Sequence, residues 1–301
     1  MLLNFVAVMG SLEQCMIYAV LALGVFLSFR TLNTPDLTVD GSVVTGAAAS
    51  AVVCSLGYHP ILGLLLAFVC GCIAGAVTAL LNTKLKIQAL LAGILVMLGL
   101  YSINLRIMGD KPNVSLTRSN TLYKIANNIF PQGYSALIIG AIILIAVILL
   151  FFFFLKTRLG FALRATGDNE EMVRAYAIDS EAMKVLGLAL SNGFVALAGG
   201  MLAQYQSFAD VTMGTGMVVI GLASVIIGEA IFGTKSLLRR LIAVSLGAIA
   251  YRLIIAQALA FGLPTSDLKL VSAVIVVGAL AIGTFSENFP FKSLMVKKEA
   301  Q

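Results

Sequence analysis

The chain alternates long apolar runs with brief polar breaks. Runs near the ~20 residues needed to cross ~30 Å of hydrocarbon recur from end to end, which predicts a bundle of membrane-spanning helices. Taken in order, the runs place spans at about 11–30, 41–57, 60–81, 88–108, 135–155, 186–205, 217–233, 237–256 and 270–286. That makes nine, with eight or ten tolerable. The fold class expected is an all-α polytopic membrane protein, with residues 1–301 forming a single transmembrane domain.

One stretch breaks the pattern. Between Lys156 and Lys184 stand ten charged residues, five basic (Lys156, Arg158, Arg164, Arg174, Lys184) and five acidic (Asp168, Glu170, Glu171, Asp179, Glu181). At roughly 3 kcal/mol per charge at the bilayer centre, burying them would cost on the order of 30 kcal/mol, so this island lies in water. It still carries a helical pattern. Asp168 is placed to cap a helix whose third residue is Glu171, and Glu170 and Arg174 are spaced for an ion pair one turn apart. Met172, Val173, Tyr176 and Ala177 share one face, and Asp179 can cap a further turn before the next span. Two readings of this short amphipathic helix remain open: a solvated connector, or a docking surface for a partner.

Composition agrees with the pattern: 60% hydrophobic, 11% charged and a mean hydropathy of +1.02, against roughly a quarter charged in soluble domains. The start, MLLNFVAVMGSLEQC, lacks a basic n-region, so no cleaved signal peptide is expected. Lys and Arg distribution orients the spans. Lys84, Lys86, the island, Lys235, Arg239, Arg240, Lys292, Lys297, Lys298 and Arg30 fall on one side, whereas Lys111, Arg118, Lys124 and Lys269 fall on the other. The island and C-terminus are therefore expected in the cytoplasm and the N-terminus outside.

A weak internal repeat appears at an offset of 174 residues. PDLTVDGSVVTGAAAS (Pro35 to Ser50) then falls on ADVTMGTGMVVIGLAS (Ala209 to Ser224), matching Asp36 with Asp210 and Thr38 with Thr212. With four spans before the middle one and four after the island, the second set is inverted relative to the first. This predicts a 4+1+4 inverted repeat: about 11–108, a central span at 135–155, the charged region 156–184, about 186–286, and a tail at 287–301. In such arrangements the substrate route lies at the repeat interface. Irregular backbone at membrane depth is tolerated only where protein or a water-filled cavity satisfies it. The two D-x-T stretches, Asn33 to Gly41 and Phe208 to Gly216, are thus either ordinary turns or segments flanking a path from opposite mouths. Candidate path residues are Asn33, Asp36, Thr38, Asp40, Gln204, Asp210, Thr212 and Glu229. The last is an acid inside an apolar run, serving a functional role or snorkelling to the interface.

Other chemistry is thin. Four cysteines (Cys15, Cys54, Cys70, Cys72) lie in apolar runs as small hydrophobes, and the single histidine, His59, has no metal-ligating neighbour in sequence. GEAIFGTKS (Gly228 to Ser236) misses a phosphate-binding loop because Thr234 separates Gly233 from Lys235. Without a catalytic cluster the chain is not expected to be an enzyme.

KTRLGFALRATGDNEEMVRAYAIDSEAMKVLGLALSNGFVALAGGMLAQ (Lys156 to Gln204) resembles the signature region of permease subunits of ABC importers of the branched-chain amino acid and ribose type. LSFRTLNTPDLTVDG (Leu27 to Gly41) and GLASVIIGEAIFGT (Gly221 to Thr234) also resemble that family. Within it, the sequence is most similar to Firmicute-type systems proposed to import amino acids, aromatic ones included. The resemblance implies two permease copies, a separate ATPase that binds ATP and Mg and grips the coupling helix, and an extracellular solute-binding protein. It implies no cofactor in this chain and no nucleic-acid partner. Its coupling positions carry over to Glu170, Glu171, Arg174, Ala175, Ala177, Ile178 and Asp179, with Asp168, Met172, Val173 and Tyr176 beside them. Where the family usually has Gly, this turn has Ala177, so a more helical turn is expected. A sugar or nucleoside cargo, or an ion-coupled carrier, remains the alternative.

Overall fold

The computed structural model describes residues 5–131, 133–261, 267, 270–275 and 277–278. Its elements are α1 (Phe5–Phe26), continued by a π-helical turn (Leu27–Thr31), α2 (Thr38–Ser55), α3 (Pro60–Thr83), α4 (Ala89–Ile107), β1 (Asn113–Ser115) and α5 (Leu122–Ile129). There follow α6 (Ser135–Lys156), α7 (Arg158–Asp168), α8 (Glu170–Ala175), α9 (Ser180–Gln206), β2 (Phe208–Asp210), α10 (Met217–Phe232) and α11 (Leu237–Ala260). Among the described residues seven helices are long and apolar enough to cross a membrane, and α10, with 16 residues, is shorter. Eight of the expected spans thus have a helix. The ninth is helical at 270–275 and 277–278, and its remainder, like the tail 287–301, lies outside the described residues.

Local chemistry sets the boundaries. Pro60 opens α3 at its first turn, where its missing N–H costs nothing, and the His59 side chain accepts from the Ile61 amide. This gives His59 a capping role in a tight connection. Asp179 Oδ1 accepts from the amides of Glu181 and Ala182. It therefore caps α9 itself, and no separate turn precedes the span. α9 consequently starts at Ser180, well before the expected 186, because a capped polar first turn extends an apolar helix into water.

α9 is the axis of the bundle, packed along α1, α2 and α3, whereas α6 lies at the edge and is mostly exposed. With lipid tails as apolar as leucine, helices associate by close packing of small residues. Gly46 on α2 faces Ala196, and Gly199 faces Val43, so closely that a Cβ on either would fall 2.0 Å or less from a backbone oxygen. Among the large buried side chains, Phe26, Phe151, Met201 and Leu241 fill the space between α1, α6, α9 and α11, while Tyr251 packs with Ala223 and Ile227 between α10 and α11. By contrast Ile142, Ile145, Leu149 and Phe153 on α6 are exposed, as a lipid-facing stripe requires. At the end of the bundle opposite α8, β1 and β2 form a two-stranded antiparallel ribbon with Asn113 opposite Asp210 and Ser115 opposite Phe208.

Candidate functional site

The charged island folds as two helices where one was expected. Thr157 caps α7 by accepting from the Gly160 amide, and α7 then runs through Asp168. Asp168 therefore does not cap the next helix: Asn169, extended at φ −156°, takes that place and accepts from the Met172 amide at 3.0 Å. The Glu170–Arg174 pair forms as expected at 2.8 Å. Glu170 also meets Lys184 of α9 at 2.5 Å and accepts from the Ser180 hydroxyl. The Lys184 bond is the main reason its carboxyl is held below the usual carboxylate range. Glu170 is thus committed to anchoring α8 on α9.

The expected apolar stripe divides. Val173 is 2% exposed and packs inward, whereas Met172 at 47% and Tyr176 at 74% face solvent, with Ile178 and Glu171 beside them. The turn after α8 is also not helical. Ala177 adopts φ +58°, its amide donates to Arg174 O, and the Ile178 amide reaches back to Val173 O. This is a Schellman closure, which favours glycine at the left-handed position because Cβ crowds the following carbonyl by roughly 1–2 kcal/mol. The substitution Ala177→Gly is accordingly expected to stabilise the turn by about 1 kcal/mol, slowing amide exchange at Ile178 about fivefold. Faster exchange at Ile178 would contradict the strain.

The second region is built from the D-x-T stretches, which share one local turn. In each stretch the Asp Oδ1 accepts the backbone amide of the Thr two residues on, at 2.8 Å for Asp36–Thr38 and 2.8 Å for Asp210–Thr212, an Asx turn in both. Their surroundings differ. Asp36 is buried, and its other oxygen accepts from Asn192 Nδ2 at 2.6 Å, midway along α9. Asn192 in turn accepts from Ser42 Oγ at 2.7 Å, while Thr38 Oγ1 meets Thr78 Oγ1 of α3 at 2.7 Å. Asp210 sits on the ribbon, and bonds from Thr212, with a lesser one from Asn113, hold its carboxyl below the usual range.

These stretches were read either as ordinary turns or as segments flanking a path from opposite mouths; in the structure their ends touch. Asp40 accepts from the amides of Gly216 at 2.9 Å and Val218 at 2.8 Å, capping α10 from across the bundle. Gly214 lies against Asp40 O, where any side chain would collide. The reason is that α2 begins deep, at Thr38, while residues after β2 fold back to meet it. Beside Asp40 opens a cavity of about 230 Å³, walled by Val44, Met97, Leu98, Tyr101, Val211 and Thr215. Asn104 also lines it: its Nδ2 donates to Gly41 O, and its buried Oδ1 has no partner among the described residues.

Three candidates lie elsewhere. Gln204 is fully used as a clamp, donating to Ser50 Oγ and Pro60 O and accepting from the Leu122 amide. Asn33 is exposed at φ +51°, beyond the π-helical turn. Glu229 neither snorkels freely nor faces the cavity: its side chain, 12% exposed, lies 2.9 Å from Arg30 and 3.6 Å from Arg240. Sequence reading passed over Asn192, Ser42, Asn104 and Arg252. An amide in the middle of LALSNGFVALAGG was the available signal, since polar groups at mid-membrane need partners. Arg252 lies over the Tyr18 ring and bonds Gln14, within the membrane span of α11.

The sequence matches the family described as branched-chain amino acid transport system / permease component over residues 7–284. The chain belongs to this permease family. A tyrosine transport system permease protein of Clostridioides difficile (strain R20291) is 38% identical to it, over 93% of this chain and 92% of the relative. A probable branched-chain amino acid transport permease protein, LivH, of Methanocaldococcus jannaschii is 27% identical over 91% and 90%. The ribose import permease protein RbsC of Escherichia coli (strain K12) is 28% identical over 72% and 67%. Among solved structures, PsaBC from Streptococcus pneumoniae in complex with Fab shares the fold, with a TM-score of 0.53, 16% identity and 89% of each chain covered. The protein is thus a multi-pass membrane permease of the ABC importer class. Permease components of such transport systems work with an ATPase and a binding protein.

Proposed function

We propose that the permease forms, with a second copy, the import path for an amino acid bearing an apolar or aromatic side chain. A separate ATPase, holding ATP and Mg, drives it, and an extracellular binding protein delivers the cargo. The α8 end faces the cytoplasm and the β1–β2 ribbon faces outward, in line with the distribution of Lys and Arg. The bundle works as a 4+1+4 inverted repeat whose halves rock about the junction at Asp40. This chain performs no covalent chemistry.

What carries the proposal is the cavity beside Asp40. Its polar lining offers mainly acceptors: a carboxylate whose two amide bonds leave lone pairs free, and the unpartnered Asn104 Oδ1. Such a lining suits an ammonium group, and the walls of Met97, Leu98 and Tyr101 suit an apolar side chain. A neutral sugar would leave the carboxylate uncompensated. The names of the tyrosine and branched-chain relatives point the same way.

The test is uptake of radiolabelled L-tyrosine by the full complex in proteoliposomes. Uptake should require ATP, resist uncouplers, and be competed by L-phenylalanine and not by ribose. Competition by ribose alone would overturn the cargo class, and sensitivity to uncouplers would favour an ion-coupled carrier. At the cavity, Asp40→Asn keeps one capping oxygen and removes the charge. It should lower maximal uptake about tenfold, corresponding to about 1.4 kcal/mol, with ATPase association unchanged.

A further inference from the structure

At the α8 end a second cavity, of about 460 Å³, lies between the π-helical turn of α1, the α7–α8 arm and the α10–α11 connection. Four cationic side chains line it: Arg30, Arg164, Lys235 and Arg240. The acids nearby do not balance them. Glu229 is shared between Arg30 and Arg240, and Asp168 on the wall is the other. Among the described residues neither Arg164 nor Lys235 has a carboxylate within ion-pair distance.

Two further observations concern donors. Among the described residues the Nε atom of Arg164 is buried without a hydrogen-bond partner, that of Arg240 has only a long contact of 3.6 Å to Glu229, and both residues line this one cavity. A buried, unpaired donor on a guanidinium is costly unless an anion meets it. The first turn of α11 also contributes Ser236 and Leu237, so the positive end of a 24-residue helix adds to the field. Apolar groups stand at the rim and beside it: Phe161 is 66% exposed, and Ile231 and Leu238 are exposed on the flanking helices.

We propose that this cavity is a binding site for a phosphate group, filled by the headgroup of an anionic phospholipid whose acyl chains run along Phe161, Ile231 and Leu238. Arginine forks match phosphate oxygens, Lys235 adds a point charge, and the apolar rim excludes a ligand that is charged throughout. A headgroup held here bridges α7 to α11 and pins the arm that carries Met172 and Tyr176.

The test uses the full-length permease in its complex with the ATPase. Native mass spectrometry counts phosphatidylglycerol retained against phosphatidylcholine, and equilibrium dialysis measures inorganic phosphate. The double variant Arg164→Ala/Lys235→Ala is compared with Lys84→Ala/Lys86→Ala, which removes the same charge at the same end outside the cavity. Retained phosphatidylglycerol should fall at least fivefold in the first and stay unchanged in the second. Lys235→Ala alone, an exposed substitution that leaves the packing intact, should lower it about threefold. Loss of phosphate binding with no lipid preference would assign the site to a soluble phosphate and remove the lipid claim. Equal retention in both double variants, or no binding of either probe, would overturn the site.

Discussion

Replacing Met172 and Tyr176 together by glutamate is expected to release the ATPase subunit and abolish ATP-driven uptake, while the permease still inserts and folds. The geometry of α8 separates these outcomes. Met172 and Tyr176 are 47% and 74% exposed, so within this chain they contribute little to packing, and charging them costs the fold little. At an interface, a buried aromatic anchor commonly carries 2 kcal/mol or more, and two anchors turned into carboxylates would weaken association by about a thousandfold. The neighbouring Val173→Glu variant serves as contrast. At 2% exposure it buries a charge under α8 and should lower the yield of folded permease as well. Co-purification of the ATPase with the double variant, at the level of the unaltered chain, would remove α8 as the handle through which ATP hydrolysis is transmitted.

The same helix shows how far a sequence carries and where it stops. Ten charges in 29 residues require water on energetic grounds alone, so the existence of the island was legible, as was the Glu170–Arg174 spacing. Which residue capped α8 was not. Asp168 and Asn169 are both competent caps, and the choice depends on how far α7 runs, which its own cap at Thr157 decides. Periodicity put Val173 with Met172 and Tyr176 because a stripe contains no information on which edge of it meets the bundle. That follows from Glu170 being drawn to Lys184 on α9. At Ala177 the residue type argued for a helical turn, yet the Schellman closure holds it at positive φ despite the cost, a tertiary override of a local preference.

In the membrane region the span positions were legible because hydrocarbon sets their length. The junction was half legible. Aligning Asp36 with Asp210 found two Asx turns of the same geometry, but contact between Asp40 and the start of α10 required knowing how deep α2 begins. Asn192, which ties Asp36 to Ser42, carries no pattern of its own beyond being polar where its neighbours are not.

The second large effect is expected at the crossing of α2 and α9, where Gly46→Ala should destroy the fold locally and uptake with it. A Cβ at Gly46 would lie 1.8 Å from Ala196 O, and both atoms belong to rigid helical backbone. Non-bonded heavy atoms settle near 3.5 Å, so the two helices must part by about 1.7 Å. One turn away on the same faces, Ser42 Oγ donates to Asn192 Oδ1 at 2.7 Å, and a separation of that size breaks the bond. Asn192 then holds Asp36 less firmly, leaving buried polar groups unpaired at about 1–3 kcal/mol each on top of the overpacking itself. The expected result is a clear fall in thermal midpoint and loss of tyrosine uptake. Gly99→Ala on α4 is the control: nothing lies within 4 Å of its Cβ, so the added methyl should be neutral or slightly stabilising through helix propensity. Equal midpoints for the two variants would mean that α2 and α9 do not cross at Gly46 and Ala196. The mid-membrane link from Asp36 through Asn192 to Ser42 would then lose its frame.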